Sequence, residues 1–284
     1  ETEMLKLEQK KSSHFEKEAN ALAEELEKKK IVTRAERIDA ITKPLLELTK
    51  LDTLSPFKNI QEEEWLDYIQ KQAELSGIKF SKRLLNAYHT SIKIGEWSPL
   101  VVLAGVSGTG KSELPRQYAL HGGMNFISVA VKPDWDSPQS LFGYYNSIEN
   151  KFEPTELLRA LYQMQSDKNK VKGEQMLMVL LDEMNLAHVE MYFSDLLSKF
   201  ETRRGSNKPA QYEISLGAGA YSKMLSIDSN ILWTGTMNED ETTKALSDKV
   251  VDRSTLITFP RPKKLIGRSK NINQEAKYVL EKSV

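Results

Sequence analysis

The second half of the chain alternates short apolar runs with amphipathic stretches. Leu100-Val101-Val102-Leu103-Ala104 and Met176-Leu177-Met178-Val179-Leu180-Leu181 are unbroken, and Ile231-Leu232-Trp233 leads into Thr234-Gly235-Thr236. An apolar run of this length without polar alternation is the pattern of a strand covered on both faces. Strands are predicted at 100–104, 126–131, 176–181 and 231–236, with helices at 111–120, 154–166 and 189–203. That order predicts an α/β fold, a parallel sheet sandwiched by helices. Upstream, Trp65, Leu66, Ile69 and Ala73 mark one helix face, and Leu84, Leu85, Tyr88 and Ile92 another, after a connector punctuated by Pro44 and Pro56. Residues 1–40 hold no Gly or Pro and are rich in Glu, Lys, Ala and Leu, which predicts a long charged helix. Within it Phe15, Ala19, Leu22 and Leu26 fit two heptads of a coiled coil, and a solvated helix fits equally.

Two stretches break the alternation. Residues 137–152, with Pro138, Gly143 and several aromatics, predict an irregular insertion. Residues 205–228 predict a loop plus a hairpin-like insertion, from the alternating Gln211-Tyr212-Glu213-Ile214-Ser215-Leu216 and the Gly-rich segment after it. A short helix is expected near 274–282.

Composition narrows the class. Of the 284 residues 39% are hydrophobic, enough for a large core, and Lys+Arg 40 balance Asp+Glu 40, so no global charge advertises nucleic acid or membrane. Without cysteine there is no disulfide framework, thiolate nucleophile or Cys-based metal site, as expected in a reducing cytoplasm. No apolar run approaches the ~20 residues that cross a bilayer. A chain that begins at Glu1 reads as a piece of a longer one.

Candidate chemistry starts directly after the first strand. Gly105-Val106-Ser107-Gly108-Thr109-Gly110-Lys111-Ser112 fits G-x-x-x-x-G-K-[ST]. Glycines let backbone N–H groups converge on phosphate oxygens, and the helix that follows presents its positive end to the same anion, so the expected nucleotide-binding stretch runs from Gly105 to Glu113. Lys111 is suited to the terminal phosphates and the Ser112 hydroxyl to Mg²⁺. The strand at 176–181 runs into Asp182-Glu183, 71 residues after Lys111. Ligand-facing residues sit at the carboxyl ends of parallel strands. Asp182 is therefore expected to hold Mg²⁺ opposite Ser112, and Glu183 to orient and deprotonate an attacking water. The next strand ends in Asn238, an amide able to bond water and a phosphate oxygen without adding charge; a turn-forming Asn is the plain alternative. Arg253 follows 15 residues later. Its planar cation suits a transferring phosphoryl group, but in its own chain it is expected far from the loop, so it would serve a neighbour; a surface salt bridge with Asp252 is the alternative.

Together GVSGTGKS, LLDEMNLAHVEMYFSDLL, TGTMNED and LSDKVVDRS resemble the AAA+ ATPases. More narrowly, they resemble the branch holding MoxR-type and dynein-related ATPases and the motor subunit of McrBC-type restriction systems. The resemblance spans about residues 84–262 and implies Walker A at Gly105–Ser112, Walker B at Asp182 and Glu183, sensor 1 at Asn238 and an arginine finger at Arg253. It further implies a P-loop NTPase sheet, ATP with Mg²⁺, and a hexameric ring. Residues 137–152 resemble that branch's helix-2 hairpin, and 205–228 its pre-sensor-1 insertion. Two departures stand out. Only 22 residues follow Pro262, too few for the family's helical lid. Also, Asn238-Glu239-Asp240 replaces the Asn-Thr-Ala-Asp run of the GTP-hydrolysing McrBC motors, which leaves GTP open beside ATP.

The expected organisation is a charged helix at 1–45, a helical preface at 46–98, the nucleotide-binding domain at 99–262 and an incomplete lid at 263–284. The expected function is the ATPase motor of a restriction or phage-defence system, acting on DNA with a nuclease subunit. A MoxR-like chaperone and a nucleotide-gated scaffold with little hydrolysis are the alternatives. His14, His89, His121 and His188 show no metal-ligand spacing. Trp135, Phe142, Tyr144 and Tyr145 are expected to pack the first insertion rather than stack on bases, and Arg203, Arg204 and Lys208 to sit on a solvated loop.

Overall fold

A computed structural model describes residues 40–58, 60–148, 151–165, 170–203, 209–216, 222–239, 244–260 and 275–282. The expected helix at 1–40 and the cluster at Arg204 and Lys208 fall outside them, except that residues 40–42 are helical. Helix α1 (Glu62–Leu75) carries three glutamates in its first turn, where the helix dipole favours them, and buries Trp65, Leu66, Ile69 and Ala73. Helix α2 (Lys82–Lys93) starts on Ser81, whose hydroxyl accepts from the Leu84 N–H at 3.2 Å. It buries Leu85, Tyr88 and Ile92. Strand β1 (Leu100–Gly105) is buried throughout and leads through the glycine loop into α3 (Glu113–Gly122). Pro115 falls in the first turn of α3, where a missing N–H costs nothing. Strand β2 (Asn125–Ala130) follows.

The described residues of the first insertion form regular elements where an irregular stretch is expected. Pro138 opens helix α4 (Pro138–Phe142), and β3 (Gly143–Asn146) pairs antiparallel with β4 (Lys151–Pro154). Thr155 then caps α5 (Glu156–Gln163) by accepting from the Leu158 N–H, so the helix expected at 154–166 is shorter. After α6 (Lys170–Glu174) comes β5 (Leu177–Asp182). The helix expected at 189–203 is broken at Phe193 into α7 (Val189–Tyr192) and α8 (Ser194–Arg203). The Tyr192 hydroxyl donates to the Met184 carbonyl at 2.8 Å, and Phe193 is fully buried against Trp233. The second insertion is a hairpin, β6 (Ala210–Ser215) against β7 (Ser222–Ile227). Strand β8 (Ile231–Asn238), helix α9 (Asp248–Val251) and strand β9 (Ser254–Thr258) complete the domain, β9 being a strand beyond those predicted.

The main sheet is five-stranded and parallel throughout, in the order β2-β5-β8-β1-β9. Alternate residues of each apolar run serve opposite faces. Val101, Leu103 and Met178 join α1, α2 and α3 in one core, while Leu100, Val102, Leu177, Val179, Leu181 and Trp233 join α5, α7 and α8 in the other. Two cores explain why these strands lack polar alternation. Tyr88 ties the helical preface to the sheet: its hydroxyl lies 2.8 Å from Thr234 Oγ1, and its ring meets Tyr118 edge-on.

The helix expected near 274–282 does not form in residues 275–282. Their backbone is spent on tertiary partners instead: Val279 N–H donates to Ser55, Leu280 N–H to Gly123 and Lys282 N–H to Glu174. The Lys282 ammonium meets Asp228 at 2.6 Å. Gly123, Glu174 and Asp228 precede β2, β5 and β8, so this segment lies at the end of the sheet opposite the glycine loop and does not cover it.

Candidate nucleotide site

The loop between β1 and α3 owes its shape to backbone conformation. Gly108 and Gly110 have φ of 76° and 89°, and a Cβ at either would meet nothing within 4 Å. The requirement is therefore the left-handed backbone, which glycine adopts without strain. Thr109 Oγ1 donates to the Val106 carbonyl at 2.9 Å and closes the turn. Lys111, only 6% exposed, donates from Nζ to the carbonyls of Gly105 (2.9 Å) and Val106 (2.7 Å). Both of these acceptors are neutral carbonyls, and an ammonium at this place in the loop suits an incoming anion.

Strand order brings the remaining groups to the loop. Strand β8 lies between β1 and β5 and pairs Asn238 with Gly105, while β5 ends at Asp182. Ser112 Oγ donates to Asp182 Oδ1 at 2.7 Å, and Thr236 Oγ1 donates to the same oxygen at 2.6 Å. Thr236 Oγ1 in turn accepts from the Glu183 N–H at 2.9 Å. Asn238 Nδ2 donates to Glu183 Oε1 at 3.0 Å. Glu183 itself has φ 53° and ψ 44°, the left-handed conformation, alone among the described non-glycine residues. Such a residue costs about 1–3 kcal/mol and persists where its surroundings hold it. Here Thr236 and Asn238 do so.

Ser107, Gly108, Gly110, Lys111, Ser112 and Glu113 face Asp182, Glu183, Thr236 and Asn238 across a cleft of about 340 Å³. The donor set fits a nucleoside triphosphate with Mg²⁺. A cradle of left-handed glycines and a buried ammonium suit phosphate, and a hydroxyl hydrogen-bonded to a carboxylate suits a hard cation. Ser112 and Asp182 would hold that cation, which supplies charge neutralisation on the phosphates.

Arg253 is elsewhere. It follows α9 at the start of β9, the end of the sheet away from the glycine loop. Its alternative partner is not Asp252 but Glu201 on α8: Nη2 and Nε donate to Glu201 Oε2 at 2.6 and 3.0 Å. Among the candidate aromatics, Trp135 packs edge-on against Tyr192 and Phe142 against Tyr212, while Tyr144 is 52% exposed.

Sequence reasoning missed three residues. Thr236 is one strand repeat before Asn238 on the same face of β8, a placement the spacing contains. Asn185, 1% exposed, exchanges hydrogen bonds with the Asn238 backbone and donates to the Lys244 carbonyl, extending the ladder past the end of β5. No local pattern marks it. Nor does one mark Glu201, whose partner lies 52 residues away.

No protein-family model and no curated protein matches the chain. Among solved structures it is similar to a Cytophaga hutchinsonii protein described as a candidate ATPase, at 20% identity and a TM-score of 0.40. The match covers 69% of this chain and 54% of that one, so the chain spans about half the length of that protein. No helix among the described residues is long and apolar enough to cross a membrane. A five-stranded parallel sheet flanked by helices, with a glycine loop joining β1 to α3 and carboxylates at the end of β5, makes this chain a P-loop NTPase fold.

Proposed function

We propose that the chain is an ATPase of the AAA+ kind that binds ATP with Mg²⁺ along Gly105–Glu113 and hydrolyses its terminal phosphate. The observation that carries this reading is the continuous hydrogen-bonded path Ser112–Asp182–Thr236–Glu183–Asn238 beside the loop. Glu183 is the base that takes the proton of the attacking water, and Asn238, bonded to that carboxylate, orients water and base together. Lys111 neutralises charge on the phosphates. Arg253 serves the site of the next subunit in a hexameric ring, which fits its position away from its own loop. The work done is that of a McrBC-like restriction motor on DNA beside a nuclease subunit.

A second reading, protein remodelling of the MoxR kind, is favoured by the insertions. Ile148, in the β3–β4 turn, is 94% exposed, Tyr144 is 52% exposed and Met224 on β7 is 51% exposed, which suits a polypeptide better than a phosphate backbone. Turnover of ATP and of GTP, each with and without Mg²⁺, tests the reaction. Stimulation by double-stranded DNA or by unfolded protein separates the two readings. Wild-type protein that hydrolyses neither nucleotide overturns the proposal.

A further inference from the structure

We propose that Glu201 is a positioning residue that holds the Arg253 guanidinium ready for a neighbouring chain's phosphates. This rests on the reading of Arg253 as a residue acting in trans. A guanidinium has five N–H donors. Three are committed here: Nε and Nη2 to Glu201 Oε2, and Nη1 to the Lys249 carbonyl at 3.0 Å. Among the described residues that leaves one N–H on each terminal nitrogen. A phosphoryl group has acceptor oxygens for both. The Arg253 side chain is 23% exposed, so it is partly open to solvent while hydrogen-bonded on one side.

The Glu201 side chain is 47% exposed, and its backbone is anchored by its neighbours on α8. Glu201 follows Phe200, which is buried against Trp233 and Phe193, and α8 further anchors in the core through Leu196 and Leu197. An arginine without such support would lose side-chain rotamer freedom on reaching its target. Glu201 removes that loss in advance. It does so on the edge of the guanidinium that the phosphate does not use.

Mixed assemblies test this. Lys111→Ala subunits lack a working site but offer Arg253; Arg253→Ala subunits have a site but no finger. Mixing the two restores hydrolysis if Arg253 acts in trans. Adding Glu201→Ala to the Lys111→Ala subunit is expected to lower the restored kcat roughly 10- to 100-fold with KM unchanged, the cost of a misplaced catalytic group. Adding it to the Arg253→Ala subunit is expected to change nothing, which also shows that the substitution leaves folding and assembly intact. Glu201→Gln, which keeps an acceptor oxygen, is expected to recover part of the rate. Equal effects in both subunits, no effect in either, or a faster rate overturns the positioning role. Full hydrolysis by Arg253→Ala alone overturns the trans reading beneath it.

Discussion

Replacing Thr236 with valine deletes one hydroxyl and keeps the side-chain shape. That hydroxyl is 2.6 Å from Asp182 Oδ1 and 2.9 Å from the Glu183 nitrogen, in a residue 1% exposed. A hydrogen bond to a carboxylate contributes about 1.5–3 kcal/mol and one to a backbone amide about 0.5–1.5 kcal/mol. Asp182 keeps its bond from Ser112, which offsets part of the loss. A net destabilisation of about 2–3 kcal/mol is expected in urea melts. The larger effect is on turnover. Glu183 holds a left-handed backbone with the Thr236 oxygen on its N–H, so without that oxygen the carboxylate loses its fixed position. Hydrolysis is expected to fall at least ~10-fold, with nucleotide affinity nearly unchanged because the glycine loop is untouched. Thr236→Ser keeps the oxygen and should stay within a few fold of wild type. Wild-type turnover by Thr236→Val, or equal losses in the serine and valine variants, would refute the reasoning.

Gly235→Ala places a Cβ onto Met184 Sδ in the turn that follows Glu183, and is expected to cost about 1–3 kcal/mol in thermal or urea unfolding and to lower kcat. A paired Met184→Ala change should relieve it. His121 is buried, bonded to Gln117 at 3.0 Å, and desolvation with the nearby Lys277 charge lowers its pKa to about 4. The unfolded chain, titrating near 6.5, binds more protons between those values. Stability from this group is therefore full above about pH 6.5 and lost as pH falls toward 4. After allowance for solvent screening about 1–2 kcal/mol should vanish on that descent. Urea melts of His121→Gln against wild type at pH 7 and pH 5 read it as a flatter pH dependence.

What the sequence disclosed followed from how local each cause is. Leu100–Ala104, Leu177–Leu181 and Ile231–Trp233 announce strands because two cores, one on each face, demand apolar residues at every position. The loop and Asp182-Glu183 stand out in the sequence because each is a contiguous run at the end of an apolar strand. Strand β9 was hidden: Ser254-Thr255-Leu256-Ile257-Thr258 is an edge strand, half exposed, and carries no run of its own. The segment at 275–282 misled because its apolar spacing suits a helix, whereas Val279 and Leu280 serve bridges to Ser55 and Gly123. Thr236, Asn185 and Glu201 act through partners more than 50 residues away, which only the fold brings together.

The central claim is that Glu183 is the base of a nucleotide-hydrolysing site. Glu183→Gln keeps the size of the side chain and an acceptor oxygen near Asn238 while removing the base. Measured side by side with wild type, it should bind ATP and Mg²⁺ with similar affinity and hydrolyse it at least ~100-fold more slowly. Hydrolysis by Glu183→Gln at the wild-type rate would contradict the account.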